Sequence, residues 1–139
     1  MQKPSPSHRL LTLAALLAAL PAAAALNNIT DLGTLKSDNS GRSVAYAVSR
    51  DSSVVAGTSQ SDSDFFNRAT VWSGSGWGTK TVLGTLRSDN SGSSFAYAAS
   101  RDGSVVAGDA VNDIGEVHAT IWSGSNWANK TDLGTLKAD

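Results

Sequence analysis

Few residues of this chain have side chains that could do chemistry. Histidine occurs twice, as His8 and His118, and cysteine does not occur. A histidine-based zinc or iron site needs more than one histidine in the folded part, and thiolate metal sites and disulfides need cysteine. The sequence also contains no Gly-x-Ser-x-Gly elbow and no phosphate-binding glycine loop. We therefore expect no catalytic residues, no metal site and no cofactor, and predict that the protein is not an enzyme.

A pentapeptide rich in oxygen ligands, SDNSG, occurs at residues 37–41 and again at residues 88–92. Clustered oxygens followed by a turn glycine resemble the start of a calcium loop. The later ligands of a twelve-residue calcium loop, including its closing glutamate, are missing. The motif is therefore interpreted as a connecting loop.

The candidate binding residues are large apolar side chains in two settings. Phe65 and Phe66 lie in one variable segment, and Ile114 lies in another. These side chains form either an exposed contact surface or an apolar cluster tucked under its own loop. Trp77 and Trp127 follow Ser-Gly turns, and either cover the edge or face of a sheet or act as flat platforms for a sugar ring.

The chain is built from a repeat of about 50 residues. LGTLKSDNSGRSVAYAVSRDSSVVAG, ending at Gly57, is nearly identical to LGTLRSDNSGSSFAYAASRDGSVVAG, ending at Gly108. We assign residues 26–81 to the first unit with a short lead-in, residues 82–131 to the second unit, and residues 132–139 to the start of a truncated third. Units of this size bury their apolar faces by stacking on their neighbours.

Each unit contains four short extended segments separated by turn residues. In the second unit these are residues 94–100, 105–108 and 119–122, and a fourth from Trp127 through Leu136. Phe95, Tyr97 and Ala99 are expected on one packed face, as are Val44, Tyr46 and Val48 in the first unit. The fold class is therefore all-β, as two tandem four-stranded antiparallel propeller-like blades of an incomplete propeller. A two-sheet β-sandwich is the alternative.

Local signals add detail to this prediction. Asp102-Gly103 indicates a two-residue hairpin, and Asp51-Ser52 in the first unit predicts a costlier turn or one of another type. Gly57 and Gly108 mark a bulge or a close approach of two backbones. Trp72 and Trp122 are expected to anchor the core.

The first 25 residues have the pattern of a signal peptide. Lys3 and Arg9 precede the apolar run LLTLAALLAAL, and Pro21 and an alanine tract follow it. Eleven apolar residues are too few to span a bilayer, which needs about 20. We expect cleavage after Ala25 and export to the periplasm, the cell surface or the medium, with no membrane span left in the mature chain.

Charge and strand count suggest what the protein contacts. The net charge is −1 and no basic cluster occurs, so nucleic acid is not an expected partner. Two blades are fewer than the four to eight of a closed propeller, so open sheet edges should promote self-association.

The motif series DLGTL, SRDGSVVAG and HATIWSG, with a variable gap, resembles the HAF family of extracellular repeats. The name-giving His-Ala-Phe tripeptide stands here as His118-Ala119-Thr120 and Arg68-Ala69-Thr70. The resemblance covers the chain from about Ile29 onwards and implies a surface protein of a Gram-negative bacterium, in which such repeats often precede an autotransporter barrel. The resulting hypothesis is a non-enzymatic exported repeat module, a fragment of an adhesin-like passenger with a host-surface or glycan ligand. A carbohydrate-binding propeller fragment is the alternative.

Overall fold

The structure, a computed structural model, describes residues 29–63 and 65–136. The predicted signal peptide and its cleavage site lie outside the described residues. Within those residues, no helix is both long enough and apolar enough to cross a membrane.

The chain forms two four-stranded antiparallel sheets, one for each repeat unit, with the strands in sequence order. The all-β prediction and the count of four strands per unit are confirmed. The first sheet consists of β1 (Ser43–Val48), β2 (Val54–Gln60), β3 (Asn67–Ser73) and β4 (Thr79–Val82). The second consists of β5 (Ser94–Ala99), β6 (Val106–Val111), β7 (Val117–Ser123) and β8 (Asn129–Asp132).

The fourth strand is shorter than predicted. Trp77 and Trp127 end 3-10 turns, Ser75–Trp77 and Ser125–Trp127, instead of beginning the strand. The LGTL segments do not continue it either, and Leu35 makes only an isolated bridge to Ser61. The prediction of a strand running to Leu136 was therefore wrong.

A side-chain hydrogen-bond network holds the LGTL segment out of the sheet. Asn39 Oδ1 accepts from the Thr34 N–H at 2.7 Å, and the Thr34 hydroxyl donates to the Ser40 carbonyl at 2.7 Å. Lys80, on β4, donates to the Thr34 carbonyl at 2.6 Å. Asn90, Thr85, Ser91 and Lys130 repeat these contacts in the second unit. These side chains take up backbone groups that a strand would pair, and the SDNSG motif forms a compact loop.

The hairpin between β5 and β6 is longer than the predicted two-residue turn. The Ser100 N–H donates to the Val105 carbonyl at 2.8 Å, so the loop between these two residues has four residues, 101–104. Within it, the Gly103 N–H donates to the Ser100 carbonyl at 3.0 Å. Gly103 has φ +70°, and its counterpart Ser52 has φ +60° in the same turn. The first unit therefore keeps the turn type with a residue at positive φ, so a turn of another type is excluded and the costlier turn stays a prediction.

Both predicted roles of Gly57 and Gly108 are confirmed. Each lies opposite a β-bulge, which falls between Ala45 and Ala47 in the first sheet and at the same place in the second. A Cβ on Gly57 would lie 1.9 Å from the Val44 carbonyl oxygen, and Gly108 is equally close to β5. Only glycine permits this approach of the two backbones.

The structure also overturns the predicted packing of β1 and β5. Ser94 and Ala96 precede the bulge and face the core, so Phe95 and Tyr97 lie on the other side, whereas Ala99 follows the bulge and packs against the core. Ser94 and Ala96 are buried, whereas Tyr97 on β5 and Tyr46 and Val48 on β1 are exposed. The prediction of one packed face bearing Phe95, Tyr97 and Ala99, and its counterpart on β1, was wrong.

The two sheets pack face to face and share one core. The first sheet contributes buried side chains from β2 and β3, namely Val54, Ala56, Ala69 and Val71. The second contributes Ala96, Val106, Ala110 and Trp122, and Leu83 joins them from the segment between β4 and β5. Trp122 and its counterpart Trp72 are fully buried, so both are core residues as predicted.

Candidate binding surface at the variable loops

The two variable loops lie at the same end of their sheets. Residues 61–66 connect β2 to β3, and residues 112–116 connect β6 to β7. In an up-and-down sheet this end is opposite the β1–β2 and β3–β4 turns. The loops therefore rise from matching positions on two nearly identical scaffolds, where changes in sequence alter binding without disturbing the core.

Both loops are held by an aspartate that the sequence reasoning missed. Asp62 Oδ2 accepts from the Ser37 N–H at 2.8 Å, and Asp113 Oδ1 accepts from the Ser88 N–H at 2.9 Å. Each contact ties a variable loop to the SDNSG loop of its own unit. The signal was available, because Asp62 and Asp113 stand five residues after Gly57 and Gly108 respectively.

The loops expose the large apolar side chains that were predicted as binding residues. Phe65 is 99% exposed and Ile114 is 78% exposed. Phe66 is about half exposed, and Val117 at the start of β7 is exposed as well. Of the two readings that the sequence left open, the structure shows an exposed surface for Phe65 and Ile114. A group of exposed apolar side chains at the loop end is a candidate contact site.

An open groove of about 590 Å³ lies between the first variable loop and the second sheet. Phe66 reaches it from the first unit and Val117 from the second, and Phe95 and Val111 supply further apolar lining. The remaining lining residues are polar or small: Arg87, Ser91, Gly92, Ser93 and Asp109. Its volume and its mixture of aromatic and hydrogen-bonding side chains suit a small ligand or an extended chain.

A row of aromatic rings extends from the groove across β5 and β1. Phe95 stacks on Tyr97 with ring centroids 6.1 Å apart, and Tyr97 meets the edge of Tyr46 at 5.4 Å. The Tyr97 hydroxyl donates to Asp109 Oδ2 at 3.1 Å. Partial burial, followed by the charge of Asp109, raises the pKa of Tyr97 to about 12, so this hydroxyl stays protonated at neutral pH.

The predicted tryptophans lie at the other end of the sheets. Trp77 and Trp127 are half-buried, and their indole N–H groups donate to backbone carbonyls of the β1–β2 and β5–β6 turns, Ser52 at 3.1 Å and Gly103 at 2.8 Å. Trp127 also packs against the core. The structure therefore separates the predicted site residues into two groups, with Phe65, Phe66 and Ile114 at the loop end and the tryptophans bracing the turns.

His118 joins neighbouring strands. Its Nδ1 lies 2.9 Å from the Asp132 carboxylate on β8, and its Nε2 lies 3.4 Å from Glu116. The hydrogen bond to Asp132, more than that to Glu116, raises the pKa of His118 above its usual range, although partial burial opposes this. In the part of the chain that the structure describes, no three histidine, cysteine, aspartate or glutamate residues are grouped to hold a metal ion.

Comparisons with known proteins add no family assignment. No family model matches the chain, and neither the curated proteins nor the solved structures contain a match. The resemblance to the HAF repeats therefore stays a prediction from the sequence motifs.

Proposed function

We propose that this chain is a non-enzymatic, exported repeat module that presents a ligand-binding surface, in the manner of an adhesin-like passenger segment. The observation that carries the proposal is the groove between the first variable loop and the second sheet, with Phe66 on one side and Val117 on the other. The scaffold beneath the loops is nearly identical in both units, whereas the loops share little besides their tethering aspartates. A rigid frame with divergent apolar loops is the usual design of a recognition surface.

We further infer that the two sheets are successive blades of a propeller-like array. Each sheet is an up-and-down meander, as in a blade, and the sheets follow each other in sequence order. The first strands of the two sheets are neighbours, since Tyr46 on β1 touches Tyr97 on β5. Such contacts are expected where the innermost strands of adjacent blades line a common axis. A β-sandwich of two sheets is the alternative arrangement.

A carbohydrate is the second candidate ligand class, and the aromatic row favours it. The stacked Phe95 and Tyr97 rings offer flat apolar faces to the C–H groups of a sugar. Asp109 and Arg87, which line the same groove, supply an acceptor and donors for sugar hydroxyls. The tryptophans, whose N–H groups are bonded to turn carbonyls, are less suited to this role.

Binding of the fluorescently labelled chain to a glycan array and to cultured epithelial cells tests the proposal. Phe66→Ser and Val117→Ser remove one apolar wall of the groove each and should weaken binding at least about tenfold, which corresponds to about 1.4 kcal/mol. Ile29→Ser is the control, because Ile29 is also apolar and exposed but lies outside the loops.

The two ligand classes give different results. Array binding that free sugar competes away would identify a glycan, whereas cell binding without array binding would indicate a protein or lipid ligand. Binding that the two groove variants leave unchanged would refute this groove as the site.

A further inference from the structure

The junction between the two sheets is formed by two different faces. We name the face of each sheet that is turned towards the following unit the trailing face, and the opposite face the leading face. At the junction, the trailing face of the first sheet (Val54, Ala56, Ala69 and Val71) is covered by the leading face of the second (Ala96, Val106 and Trp122) and by Leu83, which follows β4. All eight side chains are buried.

The trailing face of the second sheet has nearly the same residues and is uncovered. The positions that Val54, Ala56, Ala69 and Val71 hold in the first sheet are held in the second by Val105, Ala107, Ala119 and Ile121. Val105 is 37% exposed where Val54 is 5% exposed, and Ala119 is exposed where Ala69 is fully buried. An apolar surface that is buried in one unit is thus open to solvent in the next.

The leading face of the first sheet is open along β1, although Val55 and Trp72 on the same face are buried. Ala45 is exposed although its counterpart Ala96 is fully buried, and Val48 is more exposed than its counterpart Ala99. An open depression of about 430 Å³ lies on this face, lined by Thr30, Leu32, Ala45, Tyr46, Ala47, Val48, Val55 and Trp77. These residues have the apolar character of the surface that covers the first sheet within the chain.

We propose that a second copy of this chain docks head to tail, with its leading face on the trailing face of the first copy. The two free faces are complementary because each repeats one half of the junction that the chain already contains. The contact is heterologous, since the two copies use different surfaces, so it produces rings if the rotation closes and filaments if it does not.

Polar contacts at the internal junction can also be repeated between copies. Ser94 Oγ accepts from the Ala69 N–H at 2.9 Å, and the Asp51 N–H donates to the Arg101 carbonyl at 3.2 Å. Ser43 and Ala119 hold the positions of the first pair, and Arg50 and Asp102 those of the second. A docked copy would therefore satisfy polar groups as well as cover apolar ones.

Position 109 differs between the two junctions. At the internal junction, the Thr58 hydroxyl donates to the Ser94 carbonyl at 3.4 Å. In the second unit the position of Thr58 is held by Asp109, and a carboxylate has no proton to donate. Between copies, this carboxylate would face the Ser43 carbonyl. Asp109 therefore weakens the docking, and Asp109→Thr should restore the internal type of contact and strengthen it.

Both copies bring an LGTL segment to the same position in the new junction. Leu35 of the arriving copy is held to its own sheet through the Gln60 carbonyl at 3.2 Å. Leu136 of the first copy is fully exposed, and only the start of its segment is anchored, through the Leu133 N–H to the Ala119 carbonyl at 3.0 Å. The last residues of the first copy are therefore the ones that are displaced.

Sedimentation velocity of the purified full chain across a concentration series tests the docking. The wild-type chain should form oligomers that grow with concentration. Ala119→Lys blocks the trailing face and Ala45→Lys blocks the leading face, and each should keep the chain monomeric with an unchanged thermal melt, because both alanines are exposed. A mixture of the two variants should give dimers and nothing larger, since each retains one functional face. Asp109→Thr should lower the chain concentration at which half of the molecules are associated by at least about threefold. Misfolding cannot imitate this stronger association.

Three outcomes would overturn the proposal. A wild-type chain that stays monomeric at high concentration would show that a second copy does not cover these faces. Oligomers that survive either lysine substitution would place the contact elsewhere, such as the open sheet edges. A monomeric variant with a much lower melting temperature would mean that another segment of the same chain covers the face. Val117 lies on the trailing face, but Phe66 belongs to the first unit, so Phe66→Ser tests ligand binding separately and either proposal can fail alone.

Discussion

Replacing Trp122 with alanine is expected to lower the free energy of unfolding by about 3 to 4 kcal/mol. The side chain is fully buried in the core between the sheets. Burying a tryptophan removes on the order of 200 Å² from water, which contributes about 5 kcal/mol at about 25 cal/mol per Å². Its indole N–H is buried without a hydrogen-bond acceptor among the described residues, which costs about 1 to 2 kcal/mol.

Two further variants separate the contribution of ring area from that of the N–H group. Trp122→Phe keeps most of the apolar ring and removes the unpaired donor, so the change in stability should stay below about 1 kcal/mol. Trp127→Ala removes a half-buried ring whose N–H donates to the Gly103 carbonyl, and should cost about 1 to 2 kcal/mol.

The assay is equilibrium urea denaturation followed by far-UV circular dichroism, because fluorescence would change with the loss of a tryptophan. All variants are compared at one low chain concentration, since association raises apparent stability. An unchanged midpoint for Trp122→Ala would show that this residue is not part of the core. If Trp122→Phe cost as much as Trp122→Ala, the indole N–H would have to be satisfied in the native protein.

Four other substitutions have defined outcomes. Ser52→Gly should leave stability unchanged or raise it by up to about 1 kcal/mol, because relief of the strain at positive φ opposes the greater entropy of glycine in the unfolded chain. Gly103→Ser in the matching turn should lower stability, and urea midpoints measure both changes. Gly57→Ala places a Cβ against the β1 backbone and should cost roughly 2 kcal/mol or more, measured by thermal melting. The pKa of His118 is raised in the folded protein, so its stabilising contribution is complete below pH 6.5 and is lost as the pH rises through the raised pKa. The pKa of its partner Asp132 is lowered, so the Asp132 contribution is complete above pH 3.8 and is lost as the pH falls through the lowered pKa. A His118→Asn chain should lack the alkaline part of this pH dependence of the urea midpoint.

The sequence predicted the features that depend on short-range pattern. Alternating apolar residues and turn residues located the strands, and the repeat predicted that two similar sheets would stack. Gly57 was identified because a glycine inside an apolar strand has few explanations other than a bulge or a close approach. Trp72 and Trp122 were identified because a large aromatic residue in a short apolar strand is usually buried.

The features that the sequence did not predict depend on side-chain hydrogen bonds and on strand parity. Thr34 belongs to a loop because Asn39 bonds its N–H group, and propensity does not detect a partner five residues away. Tyr97 was placed on the wrong face because the core-facing residues of β5 before the bulge are the small Ser94 and Ala96, which an apolar pattern does not mark. The bulge, whose glycine lies on the opposite strand, then separates Ala99 from the side that Tyr97 occupies. The groove requires Phe66 of one unit and Val117 of the other, and their proximity follows from how the sheets pack.

Asp109 belongs both to the groove and to the trailing face, and this links the two proposals. Asp109 lines the groove and accepts a hydrogen bond from the Tyr97 hydroxyl. It is also the second-unit counterpart of Thr58, which lies at the internal junction. A second copy docked on the trailing face would therefore cover one side of the groove, so ligand and second copy should compete for the same end of the chain. By linkage, a ligand that binds only the undocked chain must shift assembly towards monomer.

Ala45→Lys provides the test of this competition, because it blocks docking from the leading face and lies away from the groove. At high concentration the wild-type chain should bind cells or glycans more weakly per molecule than Ala45→Lys, and the two should converge on dilution. The reciprocal measurement is sedimentation of the wild-type chain with saturating glycan from the array, which should contain fewer oligomers. Equal binding per molecule at all concentrations, in a chain that does oligomerise, would show that the groove stays open in the assembly and that Asp109 does not couple the two surfaces.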